Sequence, residues 1–319
     1  MHLARTRCAA LQQCTALPDT GSVPAQDLSM TIDSIVDVRD YAVQAGRIAL
    51  QAQQEIGYEE RELKEDDSVL TAADLRVQCY LQEQIGRAYP QAAVIGEERV
   101  GPARQDRADR AGRDQRAQEG VKGGSQPYTF AIDPIDGTDV YSHGMHGWAV
   151  SVGLLDETLR PVAGVVYAPR LDLLVFADVR TAATVNGAPI QRLGGALPLD
   201  ATTNIMAHSR VHRRQILARY PGKVRSIGSA ALHICFTLVY PGIYGAVEGE
   251  GEHVWDIAGA HAILASHGYE LAYLHSADGH SGELDYASLI RGEGAAGPML
   301  AGRPERVRGL RGVLLGDAG

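Results

Sequence analysis

The stretch FAIDPIDGTDVY, residues 130–141, sets Asp133 and Asp136 three positions apart straight after an apolar run. Two carboxylates about 4 Å apart repel by about 1 kcal/mol in water and about 4 kcal/mol at an intermediate dielectric. Either one holds a proton or a cation bridges them. Oxygen ligands without a His or Cys cluster favour a hard cation, Mg²⁺ first, Mn²⁺ or Ca²⁺ less so. Pro134 biases Asp133 toward an extended backbone, and Gly137 allows a ligand to approach the main chain closely. An Asx-turn at a loop is the competing reading for the same residues. Further acids stand at element boundaries. Glu97 and Glu98 follow the apolar run AAVI, where a solvated pair is the alternative. Asp256, in EHVWD, opens a helix and suits a cap. Asp74, in TAAD, fits a capping box with Thr71 as N-cap. His143, His146 and His253 match no zinc spacing, and no G-x-S-x-G is present.

The elements that would carry these acids can be read from periodicity. Ile32, Ile35, Val36, Ala42, Val43, Ala49 and Ala52 recur at helical spacing over 31–56. Val77, Leu81, Ile85 and Ala88 form a second stripe, which Pro90 stops. AAVIGEE reads as a short buried strand. YTFAID, WAVSVGLLD, PVAGVVYA and LDLLVFAD are successive short strands, which suggests an antiparallel sheet. VNGAPI at 185–190 carries an Asn-Gly hairpin signal. Ser229 can cap a helix running to Tyr240, IYGAVEG reads as a strand, and a helix from Asp256 to His267 stops at Gly268. The expected class is α+β, with an antiparallel sheet in the N-terminal half and an α/β C-terminal half. The expected domains are 1–29, a disordered extension or misplaced start; 30–187; and 188–319. Residues 99–127, rich in Arg and Asp with almost no apolar face, read as a solvated loop or frayed surface helix, or else as a mobile lid or partner arm over the site.

The chain has 319 residues, 45% of them hydrophobic, and a net charge of −9. That is enough for a sizeable core, and the acidic balance argues against a nucleic-acid partner. An anionic small substrate stays compatible, because bound cations reverse the local field. No stretch is long and apolar enough for a membrane span. Cys8, Cys14, Cys79 and Cys235 form no C-x-x-C pair. They suggest a reduced, cytoplasmic chain, with Cys79 and Cys235 as buried thiols.

In order along the chain, TAAD at 71–74, GEE at 96–98, DPIDGT at 133–138, RSIGSAALHIC at 225–235 and WDIAGA at 255–260 resemble the inositol monophosphatase family of Mg²⁺-dependent, lithium-sensitive phosphatases. The similarity runs from about Met30 to about Gly302, and DPIDGT with a downstream WD is a specific signature. The resemblance implies a layered αβαβα sandwich, a small phosphorylated substrate and a homodimer. It implies two or three Mg²⁺ ions. One would rest on Glu97, Asp133 and the Ile135 carbonyl, a second on Asp133, Asp136 and Asp256, and a weaker third on Glu97. Gly137 and Thr138 would offer N–H groups to the phosphate, Thr138 its hydroxyl to the attacking water, and Asp74 would orient Thr138. Metals about 3.5–4 Å apart can clamp the attacking and leaving oxygens of an in-line displacement.

Three features depart from the family pattern. Asp139 follows DPIDGT where members often carry Thr, Lys or Ser, which either shifts substrate preference or is a loop detail. The substrate-binding glutamate before WD corresponds to Glu248 only with one inserted residue, and Glu250 is its rival. The insertion at 99–127 lengthens the spacing from Glu97 to DPIDGT. Inositol monophosphate leads as substrate. 3′-Phosphoadenosine 5′-phosphate, fructose bisphosphate and histidinol phosphate stay open. A non-catalytic metal- or phosphate-binding regulator and a metal-independent glycosidase are the alternatives of other classes.

Overall fold

The structure, a computed structural model, describes residues 32–55, 62–63, 69–70, 72–98, 127–191, 197–275 and 282–316. The expectations for residues 1–29, for Thr71 as a cap and for the insertion up to residue 126 lie outside the described residues.

Helix α1 spans Val36–Glu55 and buries Val38, Ala42, Ala45, Ala49 and Ala52, spaced three and four apart. A short antiparallel pair, β1 (Glu62–Leu63) and β2 (Val69–Leu70), precedes α2 (Ala72–Ala88). Val77, Leu81 and Ile85 form the inner stripe of α2.

The first sheet has seven strands. They are β3 (Ala93–Gly96), β4 (Thr129–Asp136), β5 (Ala149–Leu155), β6 (Pro161–Ala168), β7 (Leu173–Ala177), β8 (Thr184–Val185) and β9 (Ala188–Pro189), in that spatial order. A single-turn α3 (Thr138–Ser142) lies between β4 and β5. The β3–β4 pair is parallel, and the other neighbours are antiparallel. Asn186 and Gly187, at φ 49° and 81°, make the tight turn from β8 to β9 that their sequence predicts.

The second sheet takes β10 (Asn204–Ala207), β11 (Lys223–Arg225), β12 (Ile243–Glu248), β13 (Glu270–Tyr273) and β14 (Met299–Gly302) in the order β11-β10-β12-β14-β13. Its first three members run parallel, and β14 is antiparallel to both of its neighbours. Between and after them come α4 (Ala230–Val239), α5 (Val254–Ala265), α6 (Tyr286–Ile290) and α7 (Pro304–Leu315). Helices α1 and α2 cover one face of the first sheet, and α4 and α5 lie between the two sheets. Helix α7 covers the far face of the second sheet. This is the αβαβα sandwich that the family resemblance implies.

Strand β5 explains how the middle layer is seated. Trp148, Val150, Val152 and Leu154 point into the core shared with α1 and α2. The alternate positions are small, and two of them, Ser151 and Gly153, meet α5. A Cβ on Gly153 would lie 2.6 Å from the Gly259 nitrogen, and one on Gly164 2.2 Å from the Gly259 oxygen. Glycine at these three positions lets α5 lie against the sheet backbone. That contact sets the start of α5 over the end of β4.

Two expectations change. Helix α5 starts at Val254, two residues before Asp256, so Asp256 is its third residue and not its cap. Its carboxylate instead accepts a hydrogen bond from the backbone nitrogen of His253, the residue that does cap the helix. Cys79 is half-buried and disulfide-bonded, so the fully reduced reading does not hold. Cys235 is a buried free thiol.

Candidate active site

Residues three apart on a regular strand face opposite ways. Asp133 and Asp136 nevertheless both line one cavity, because the β4–β5 register slips between them. Pro134, which has no N–H for the ladder, sits in that irregularity. The cavity is ≈ 650 Å³. Four segments supply its acids: Glu97 just past β3, Asp133 and Asp136 on β4, Asp139 on α3, and Glu250, Glu252 and Asp256 around the start of α5.

The two aspartates are held differently. Asp133 Oδ1 accepts from the Ile135 nitrogen at 3.0 Å. Asp136 accepts from three donors at the start of α4. These are the Ser229 hydroxyl at 2.6 Å, the Ala231 nitrogen at 2.7 Å and the Ala230 nitrogen at 3.2 Å. Ser229 also caps α4, its oxygen accepting from the Leu232 nitrogen at 3.0 Å. The sequence predicts the cap but carries no sign of its bond to Asp136.

The turn after β4 is tight. Gly137 has φ 94°, and a Cβ there would stand 3.2 Å from the carbonyl oxygens of Gly147 and Gly228. Thr138 Oγ1 lies 3.1 Å from Asp74 Oδ1 and 2.9 Å from the Ile135 carbonyl oxygen. One hydroxyl hydrogen serves only one of these acceptors at a time. Asp74 is fully buried and stands behind Thr138, outside the cavity wall.

Substrate-side expectations are redistributed. Asp139 is on the rim and mostly exposed, its carboxylate 3.7 Å from His143 Nδ1. Glu250 is exposed on the wall. Glu248 is not on the wall. It is fully buried and its carboxylate meets His233 Nδ1 at 3.1 Å, which puts it behind the cavity and out of reach of a substrate. Beside Glu250, Glu252 also lines the cavity, with His208 Nε2 3.8 Å from its Oε1. His208 Nδ1 accepts from the Arg210 nitrogen at 3.2 Å, so its ring hydrogen is on Nε2, toward Glu252. Among the described residues, the exposed Arg210 brings the one guanidinium to the wall. Glu252, His208 and Arg210 escaped the sequence reading, since nothing in their spacing marks them.

Electrostatically the site is overloaded with acid. Burial, then Glu97, Asp136 and Asp256, push the Asp133 carboxyl well above its usual range. Burial, then Glu252, Asp136 and Glu97, do the same to Asp256. Burial and the neighbouring Glu248 and Asp136 raise Glu252. Asp136 rises only to about 6, because its three donors oppose burial. Asp256 adds to the rise at Asp133, and Glu252 to the rise at Asp256. Carboxyl groups that raise one another in this way hold protons or a cation. Among the described residues no three side chains close a cage around a single point. The fit to a hard divalent ion therefore rests on the donor chemistry. The acids supply oxygen ligands, crowded and partly desolvated, with the Ile135 carbonyl on the same wall.

The model of the family described as "Inositol monophosphatase family" matches residues 34–301. The chain is 26% identical over 263 residues to an inositol-1-monophosphatase of Mesorhizobium japonicum, covering 79% of this chain and 88% of that one. It is 29% identical over 229 residues to a 3′(2′),5′-bisphosphate nucleotidase of Salmonella typhimurium, covering 70% and 81%. The structure of an inositol monophosphatase from Anabaena (Nostoc) sp. superposes with a TM-score of 0.63 at 23% identity, covering 88% of this chain and 94% of that one.

Proposed function

The chain belongs to the inositol monophosphatase family and is a phosphoric monoester hydrolase; we propose that it hydrolyses a small phosphorylated polyol or sugar, inositol monophosphate first, with Mg²⁺ and water. The carrying observation is the convergence of Glu97, Asp133, Asp136 and Asp256, from three separate segments, with the Gly137–Thr138 turn on one cavity.

Glu97, Asp133, the Ile135 carbonyl, Asp136 and Asp256 would hold two or three Mg²⁺ ions. Mg²⁺ bound there acidifies water and offsets the charge developing on the leaving oxygen. The protein's own groups supply position. Thr138 Oγ1 donates to Asp74 Oδ1, which leaves its lone pairs free to accept a hydrogen from the attacking water. Glu97, on the same wall, accepts the other hydrogen. The backbone N–H groups of Gly137 and Thr138 receive the phosphate oxygens. Glu252, backed by His208, is an acceptor for substrate hydroxyls, a role the resemblance implies for Glu248. The exposed Asp139 and Glu250 bound the mouth.

Arg210 favours a second reading, in which the substrate carries a second anionic group, as in 3′-phosphoadenosine 5′-phosphate or fructose bisphosphate. A phosphate-release panel separates these. Turnover on inositol 1-phosphate that needs Mg²⁺ and stops with a chelator is expected. Turnover of a bisphosphate alone would favour the second reading, and metal-independent or absent turnover from folded protein would overturn both.

We also propose a homodimer. Met145, Leu171 and Tyr240, 55%, 40% and 45% exposed, line a second concavity of ≈ 720 Å³ that shares Met145, Ser226 and Ile227 with the first. Exposed apolar side chains gathered in this way suit coverage by a second chain. Light scattering should give twice the chain mass, and a monomer at micromolar concentration would reject it. No helix among the described residues is long and apolar enough to cross a membrane.

A further inference from the structure

Behind the cavity wall His233 and Glu248 form a pair closed to solvent, each 0% exposed. His233 Nε2 lies 3.0 Å from the Ile227 nitrogen. A backbone N–H only donates, so Nε2 is the acceptor and the ring hydrogen is on Nδ1. Nδ1 then donates to Glu248 Oε1 at 3.1 Å. The imidazole is a bridge of fixed sense, from backbone amide through ring to carboxylate. Burial keeps it neutral, its pKa pushed down to about 4.

What the bridge holds is the turn leading into α4. Ile227 and Gly228 line the cavity, and Gly228 has φ 105°. The next three residues supply every hydrogen bond that Asp136 receives. A Cβ on Gly228 would lie 2.5 Å from Val140 on α3, so this turn also abuts the loop after DPIDGT. His233 is one helical turn past Ser229 and grips the chain just before it. Glu248, at the end of β12, ties that grip to the second sheet.

We propose that His233 and Glu248 are positioning residues that lock the Ile227–Gly228 turn. The lock keeps the start of α4 aimed at Asp136 and fixes the direction of its carboxylate. Glu248 thus serves the site through His233 and the backbone, without touching substrate. The kinetic part of this inference rests on the phosphatase reading, and the structural part does not.

The test uses the full chain, metal-free and with Mg²⁺. Wild-type ¹⁵N spectra should show His233 protonated at Nδ1 and bare at Nε2. Glu248→Ala and His233→Ala should speed hydrogen exchange at the Ile227, Ala230 and Ala231 amides, leaving those of α7 unchanged. They should lower kcat about 10- to 100-fold with KM little changed, as expected for a misplaced catalytic group. Glu248→Gln keeps an acceptor for Nδ1–H and should rescue both readouts. If His233→Ala does not fold, Glu248→Ala and the wild-type tautomer decide. Protonation at Nε2, or a folded Glu248→Ala with unchanged exchange at the three amides, would overturn the proposal. So would a uniform rise in exchange with unchanged kcat. A wild type without phosphatase turnover would instead sink the functional reading, while the exchange and tautomer data still judge the lock.

Discussion

Asp133→Asn and Asp136→Asn should each cut metal-dependent phosphate release by about a thousandfold or more, the scale of losing several kcal/mol of charge stabilisation. Their metal-free melting temperatures should move in opposite directions. Asp133 has one protein donor, the Ile135 nitrogen, which an asparagine oxygen can also satisfy. It is crowded by Glu97, Asp136 and Asp256, so losing its charge relieves repulsion and raises Tm. Asp136 accepts from three donors on both of its oxygens. An asparagine offers one oxygen and turns an NH₂ group toward the others. At least one backbone N–H at the start of α4 then loses its partner, at a cost of about 1–3 kcal/mol. From sequence alone, relief of repulsion is expected at Asp136; the donors from α4 reverse that sign. Calorimetry with chelator and a coupled phosphate assay check both halves. Equal Tm shifts would mean that the α4 contacts do not anchor Asp136.

The stabilisation by Mg²⁺ should grow with pH. Asp133, Asp256 and Glu252 have carboxyls raised well above their usual range, and Asp136 is raised to about 6. A raised carboxyl stabilises the fold fully below its unfolded value of about 4, and that contribution is lost as pH rises through the folded value. His208, His233 and His261 oppose this trend in metal-free protein. Burial lowers each to about 4, so their contribution is present above the unfolded value and lost as pH falls toward the folded one. Comparing melts with and without Mg²⁺ at each pH removes what both states share, including the contribution of His261, which is not on the cavity wall. Binding must expel the shared protons, so affinity rises with pH. Mg²⁺ at about 100 times its Kd adds about 2.7 kcal/mol. The Mg²⁺-induced rise in Tm should therefore be larger at about pH 8 than at about pH 6. A rise independent of pH would mean that the carboxyls share no protons.

Much of this was legible because the signals are local. The Asn186–Gly187 turn, the Ser229 cap and the apolar stripes of α1 and α2 each follow from neighbouring residues. So does the choice of DPIDGT as a segment that brings two carboxylates to the cavity. The illegible part is tertiary. Whether Glu248 or Glu252 faces the cavity depends on where β12 ends and how Gly249 to Gly251 turn, and EGEGE offers glutamates at every other position. Reading Asp256 as a cap misses by one helical turn, because His253 already occupies that place. The pairing of Ser229 with Asp136, 93 residues apart, has no counterpart in spacing. His233 carries only a weak sign, a lone imidazole in an otherwise apolar helix.

Anomalous scattering from Mn²⁺-soaked crystals tests the central claim most directly. The account predicts peaks inside the cavity, within ligand distance of Glu97, Asp133 and Asp256, with the Ile135 carbonyl turned toward one of them. Peaks elsewhere, or an empty cavity in protein that still releases phosphate, would contradict it.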